Sequence, residues 1–216
     1  MLTQRTGVSR LLLLVASFVG ISAASARAQS VIDDWDKVKA PPPPALKPVA
    51  IDDPKTTALL VMDVNTQTCT VQRRPRCAGS VPRLQKLVSE GRAKGMTVIY
   101  TLSGTTTAAD ILKEIAPAPG DSVLPSFGPD KFMGNDLEKI LKDKGIKTVI
   151  AVGTAAHTSV LHSASGAALR GYGVVVPVDV ISSDNPYQEQ YTVLHLTTAS
   201  RVLDKVTLTT TAMLKY

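Results

Sequence analysis

From residue 58 onward, short apolar runs alternate with longer segments in which apolar residues recur every three or four positions. The runs ALLVMD (58–63), MTVIYT (96–101), TVIAVG (148–153) and GVVVPVD (173–179) read as buried strands, with SVLPSF (122–127) and KVTLTT (205–210) as shorter ones. Between them the pattern predicts helices over 82–94, 108–115, 135–144, 157–170 and 187–203. Gly95, Gly145 and Gly171 stop three of these, and Asn135 caps one. Pro177 places the strand 173–179 near a sheet edge. Strands separated by helices pair in parallel through right-handed crossovers. The expected fold is therefore a three-layer α/β/α sandwich, Rossmann-like, around a central, mostly parallel sheet of about six strands. Ligands collect at the carboxyl ends of such strands where their order reverses. That places a site at Asp63, ending the first strand, and at the turn 153–159 after the fourth.

The chain before residue 57 has a different texture. Arg5 and Arg10, an apolar run over 11–19 and the small-x-small triplet Ala26-Arg27-Ala28 predict a secretory signal over 1–28, cleaved after Ala28. The alternative is an uncleaved anchor, since residues 11–26 are nearly long enough to span a bilayer. Residues 29–56 form a proline-rich arm whose four consecutive prolines, 41–44, favour an extended chain on the surface or a link to the cell envelope. Residues 57–216 are the remaining domain.

Charge and cysteine content narrow the partners. The chain has 24 Lys and Arg against 18 Asp and Glu; without the signal, 21 basic residues remain, a net of +3. The cluster Arg73-Arg74-Pro75-Arg76 is the one basic run, read as a solvated loop or as a means of steering an anion. No nucleic-acid footprint is present, and no membrane association is expected after cleavage. Export points to the periplasm or the medium. There Cys69 and Cys77 can close a short disulfide, the alternative being two free thiols. No histidine or cysteine spacing suggests a metal, and no phosphate loop is present, so no cofactor is expected.

Candidate chemistry concentrates in VGTAAHTSVLHSASGAALRGY (152–172). The small residues of SASGAAL let the helix press on the sheet. Its amino end then either presents amides to an oxyanion or merely packs. Asp63 is a candidate general acid or base, or else a turn-forming residue. Ser159 is a nucleophile only if a base takes its proton; His162, three residues on, is one such base. His157 caps the helix, binds substrate or packs. Lys131 lies in the loop FGPDKFMGNDL (127–137), where a lysine is ordinarily solvated.

TALLVMDVN (57–65), DKFMGNDLEKILKDKGIKTVIAVGTAAHTSV (130–160) and GYGVVVPVDVISS (171–183), in this order, resemble the isochorismatase-like hydrolase superfamily, the cysteine hydrolases. The resemblance covers about 57–210. It implies that Asp63 is the catalytic carboxylate, with Asn65 two residues on. The family's nucleophilic cysteine falls on Ser159. The family's lysine falls on Ser126, so that Lys131 serves only if the loop is shortened. GTAAH (153–157) is similar to the turn of the true isochorismatases, which lack the cysteine and use the aspartate as an acid on a vinyl ether. The resemblance also implies a cis peptide at Thr154–Ala155, and homodimers or larger assemblies.

These readings predict an exported hydrolase acting on a small polar substrate at a C–N, ester or vinyl-ether bond. Asp63 is then the acid/base, helped by Lys131 and Ser159. Asn65, Ala155, Ala156, His157 and His162 bind substrate, with the amides of 155–159 as oxyanion site. Two alternatives stand beside it. One is a non-catalytic member that binds a small anion or serves as a scaffold. The other is a serine hydrolase with a Ser159–His162 or Ser159–Lys131 pair.

Overall fold

The computed structural model describes residues 30–125 and 127–216; the expected signal segment 1–28 and Ser126 lie outside the described residues. The chain divides into two units, Met1–Pro41 and Pro42–Tyr216. In the first, Ser30 and Asp33 close a turn through their side chains, and a single 3-10 turn follows at Trp35–Lys37.

The second unit runs β1 (Val49–Ala50), β2 (Thr57–Met62), α1 (Pro75–Ala93), β3 (Thr97–Thr101), β4 (Ser122–Leu124), α2 (Leu137–Asp143), β5 (Thr148–Thr154), α3 (Leu161–Leu169), β6 (Gly173–Pro177), β7 (Ile181–Ser182), α4 (Pro186–Thr198), β8 (Val206–Thr209) and β9 (Leu214–Lys215). Seven strands form the central sheet in the order β4-β3-β2-β5-β6-β8, with β7 also beside β5, and every pairing in it is parallel. The strand order grows outward in both directions from β2 and β5, so the switch point lies between them.

Period-two alternation along β2 explains the three layers. Ala58, Leu60 and Met62 face a core shared with Leu137 of α2, Ala164 of α3 and Leu196 of α4. Leu59 and Val61 face the opposite core, with Leu84, Leu87 and Val88 of α1. Alanine and glycine on α3 seat it close to the sheet: Ala164, Gly166, Ala167 and Ala168 are all buried.

Several expected boundaries move. The helix expected over 82–94 begins at Pro75. A proline is well suited to a first helical position, and Pro82 is accommodated in the interior. The helix 108–115 is two 3-10 turns, Ala108–Asp110 and Lys113–Ile115, the first closed by a capping box between Thr107 and Asp110. The helix 157–170 opens with a π-turn at Ala156–Val160. The Asn135 side chain accepts from the Leu137 amide, one residue ahead of the N-cap Asp136. The strand 122–127 ends at Leu124, and the helix 187–203 spans Pro186–Thr198. Pro177 does not mark an edge: β6 lies between β5 and β8. Its pairing with β5 stops at Val175, so the missing N–H of Pro177 costs no ladder bond on that side, and β7 takes up the end of β5. The far half of the proline-rich arm joins the fold. Lys47 donates its amide to the Leu208 carbonyl, β1 pairs in parallel with β9, and Ile51 is buried.

Candidate active site

Asp63 follows the last residue of β2 and turns the chain with φ +57°, a left-handed conformation that aspartate tolerates better than most residues. Its amide donates to Thr101 O at 3.2 Å and its carbonyl accepts from the Thr68 hydroxyl, so the reversal is held at both ends. Beside it, Met62 is in register with Gly153 of β5. A Cβ at Gly153 would stand 2.1 Å from Met62 O, and its φ is +120°. Only glycine lets the two strand ends approach this closely.

The peptide Thr154–Ala155 is cis. The π-turn that follows brings Ser159 over the end of β2. Ser159 Oγ donates to Asp63 Oδ2 at 2.6 Å, Lys131 Nζ pairs with the same oxygen at 2.7 Å, and Thr101 Oγ1 donates to Oδ1 at 2.9 Å. Asp63, Lys131 and Ser159 are all buried, at 4%, 2% and 5% exposure. A buried charge pair persists only with such partners.

Lys131 is therefore not a solvated loop lysine. Its loop is pinned to α3: the Lys131 amide donates to Ser163 Oγ at 3.0 Å, and the Arg170 guanidinium lies 4.3 Å over the Phe132 ring. A turn from Asp130 O to the Met133 amide reverses the chain, so Lys131 reaches inward. Nζ also lies 3.4 Å from Gly128 O.

Asp63, Lys131 and Ser159 line one cavity of about 590 Å³, together with Thr154, Ala155, Thr158, Gln67, Thr68, Arg73, Arg74, Ser103 and the 127–129 segment. Four expected substrate contacts are not among its lining. His162 is exposed on α3, whereas Ser159 is buried and gives its hydroxyl to Asp63 rather than to this histidine. His157 turns away: its amide and Nδ1 lie 3.3 and 3.0 Å from Ser183 Oγ. Asn65 is buried as a turn former, accepting the Gln67 and Thr68 amides and donating to Ser103. Ala156 is fully buried. The amides of His157 and Thr158 are taken, by Ser183 Oγ and by Ala155 O, which leaves the row 155–159 incomplete as an oxyanion site.

Arg74 was hidden in the sequence by its basic neighbours. It is buried, donating Nε to Asp184 Oδ1 at 2.8 Å and Nη1 to Thr154 Oγ1 at 3.3 Å. The bond from Arg74 holds the Asp184 carboxyl below its ordinary value. Cys69 and Cys77 are joined, with Cα atoms 5.3 Å apart, closing the loop that carries Arg73 and Arg74. The spacing of the two cysteines around the arginines was the one available signal. Thr101, at the end of β3, had none beyond its place at a strand terminus. Among the described residues, no group of three or more His, Cys, Asp or Glu side chains is placed to hold a metal ion, and no helix is long and apolar enough to cross a membrane.

Comparison with known proteins bears on this geometry. The chain is 29% identical over 112 residues to a secreted isochorismatase effector of Verticillium dahliae, covering 47% of this chain and 59% of that protein. It is 29% identical over 133 residues to an N-carbamoylsarcosine amidase of an Arthrobacter species, covering 49% and 50%. The chain thus matches little more than half the length of these curated relatives. Its fold is that of an isochorismatase family protein from Desulfovibrio vulgaris, at 22% identity and TM-score 0.64, over 73% of this chain and 95% of that one. Residues 57–210, from the strand that ends at Asp63 to β8 at the edge of the central sheet, match the isochorismatase domain, and the chain belongs to that family.

Proposed function

We propose that the chain is a hydrolase of C–N or ester bonds in a small polar substrate, with Asp63 as its general base and acid. The observation that carries this is the hydrogen bond from Ser159 Oγ to Asp63 Oδ2, with Lys131 on the same oxygen, at the wall of an open cavity. By the resemblance, Ser159 stands where the family's nucleophilic cysteine falls, so the chain is a divergent member with a hydroxyl nucleophile. An alkyl hydroxyl needs a base in contact with it. Asp63 takes the Oγ proton as Oγ bonds to the substrate carbonyl carbon, and the carbonyl electron pair moves onto oxygen. The amide of Ala155, a residue of the cavity wall, receives that oxyanion. Asp63 then returns the proton to the leaving nitrogen or oxygen as its bond to carbon breaks. A water that gives its proton to Asp63 cleaves the acyl-serine, and that proton returns to Ser159. Lys131 orients the carboxylate and offsets its charge.

Three donors around Asp63 present it as a proton acceptor. This favours acyl transfer over the vinyl-ether reaction, in which the aspartate must first donate. The amidase among the relatives supports the C–N bond. Export is supported by the pattern of residues 1–28, by the disulfide and by the secreted relative.

The test is a panel of small amides, esters and vinyl ethers. Asp63→Asn should lose about 10²–10⁴-fold in rate, the usual worth of a positioned acid/base group. Ser159→Ala should lose a comparable factor. Ser159→Cys should retain amide hydrolysis, because a thiol ionises far more readily than a hydroxyl. Turnover that survives Asp63→Asn overturns the proposal. Binding without turnover of any member by the wild type supports the non-catalytic alternative.

A further inference from the structure

The charges around the cavity do not balance. Asp63 and Lys131 neutralise each other at 2.7 Å, so the pair beside Ser159 contributes no net charge. The β2–α1 loop brings two guanidinium groups to the same cavity, Arg73 and Arg74, against one nearby carboxylate, Asp184. One positive charge is left over.

Each arginine has a distinct place. Arg74 is buried, and its contact with Thr154 Oγ1 seats the guanidinium against the residue that precedes the cis peptide, next to Ala155. Thr154 is itself held by donating to Ser182 O at 3.0 Å. Arg73 is exposed at the rim and donates Nη1 to the Gln67 carbonyl at 3.0 Å. No carboxylate of the described residues forms an ion pair with it. Both arginines sit between Cys69 and Cys77, so the disulfide holds the loop in place before any ligand arrives.

Resting on the reading of this cavity as the substrate site, we propose that its substrate carries a carboxylate, bound by Arg73 and Arg74, beside the carbonyl presented to Ser159. One carboxylate brings the cavity to neutrality. The Arg73 guanidinium can match its two oxygens in the plane of the fork, while Arg74, whose Nε and Nη2 go to Asp184, contributes charge and its remaining N–H donors. A neutral molecule of the same shape leaves the surplus charge facing solvent, and a cationic one adds to it.

The experiment measures binding by calorimetry to the full chain with two probes of equal size that differ in one charge, N-acetylglycine and N-acetylglycinamide. N-acetylglycine should bind about tenfold more tightly, with affinity falling as salt rises. Arg73→Gln, at an exposed position that leaves the fold intact, should bring the two probes to near parity without changing binding of the amide. Arg74→Gln should do the same, with its folding checked by circular dichroism. Equal binding of the two probes, binding of neither, or no effect of Arg73→Gln overturns the proposal. The hydrolase reading fails separately. Anion binding with no turnover of any panel member sinks that reading and leaves this one standing. Equal turnover of anionic and neutral amides does the reverse.

Discussion

Two ion pairs serve the cavity, and they differ in everything but length. Lys131–Asp63 spans 2.7 Å with both side chains almost wholly buried, at 3% and 6% exposure. Arg74–Asp184 spans 2.8 Å, but its carboxylate is 46% exposed. The first pair cannot open without leaving a charge in the core. It is suited to holding one carboxylate in one orientation against Ser159. The second has water at one side and spare donors on its arginine, which suits it to meeting a ligand. Equal distances therefore mean unequal things: burial decides whether an ion pair is a fixture or an adaptable contact.

The largest effect that would sharpen this contrast comes from breaking the buried pair. Lys131→Met should cost about 3–5 kcal/mol, read as a lowered urea midpoint, because Asp63 stays buried without its cation. Asp63→Asn combined with Lys131→Met should recover part of that loss while hydrolysis stays absent. Additive costs in this double-mutant cycle would break the claim that the two act as a pair. Next in size, Cys69→Ser with Cys77→Ser should cost about 2.5 kcal/mol by the loop-closure argument, and should loosen binding of the anionic probe more than that of the neutral one. The smallest effect belongs to the rim. Arg74 lowers the Asp184 carboxyl, so the pair stabilises the fold above pH 3.8 and loses that contribution as pH falls through the lowered value. Asp184→Asn should therefore cost no more than about 1 kcal/mol at neutral pH, discounted for exposure, and the difference from wild type should shrink below pH 3.8. A difference that grows on acidification would contradict the sign of this linkage.

Much of the fold was legible because it is local. The unbroken apolar run in ALLVMD and the Val-rich run of β6 specify strands buried on both faces, and the glycines after α1, α2 and α3 mark where helices stop. Asp63 was legible as a site residue for the same reason: a charge ending an apolar strand at a switch point has few other places to go. Periodicity could also mislead. Residues 108–115 place Ile111, Leu112 and Ile115 at helical spacing, but Ile111 is extended and bridges to Asn65, which splits the segment into two 3-10 turns. Pro177 signalled an edge only because strand neighbours are invisible in sequence. Lys131 was legible as a site residue through the resemblance alone, since its loop by itself suggests a solvated lysine and its partner lies 68 residues away in the chain; His162 was expected at the substrate because spacing on a helix does not reveal which face turns outward.

Residue identity alone settled the layer architecture, the apolar faces of the strands, the glycine that lets β2 and β5 meet, and the chemistry open to Asp63, Ser159 and the two arginines. These depend on periodicity, on the absence of a Cβ and on functional groups, all carried by single residues or short windows. Tertiary packing alone decided that Lys131 shares an oxygen with Ser159, that Arg74 is buried while Arg73 is not, and that His157 turns to Ser183. Those outcomes depend on contacts between segments far apart in the chain, where small differences in burial choose the partner and no local pattern records the choice.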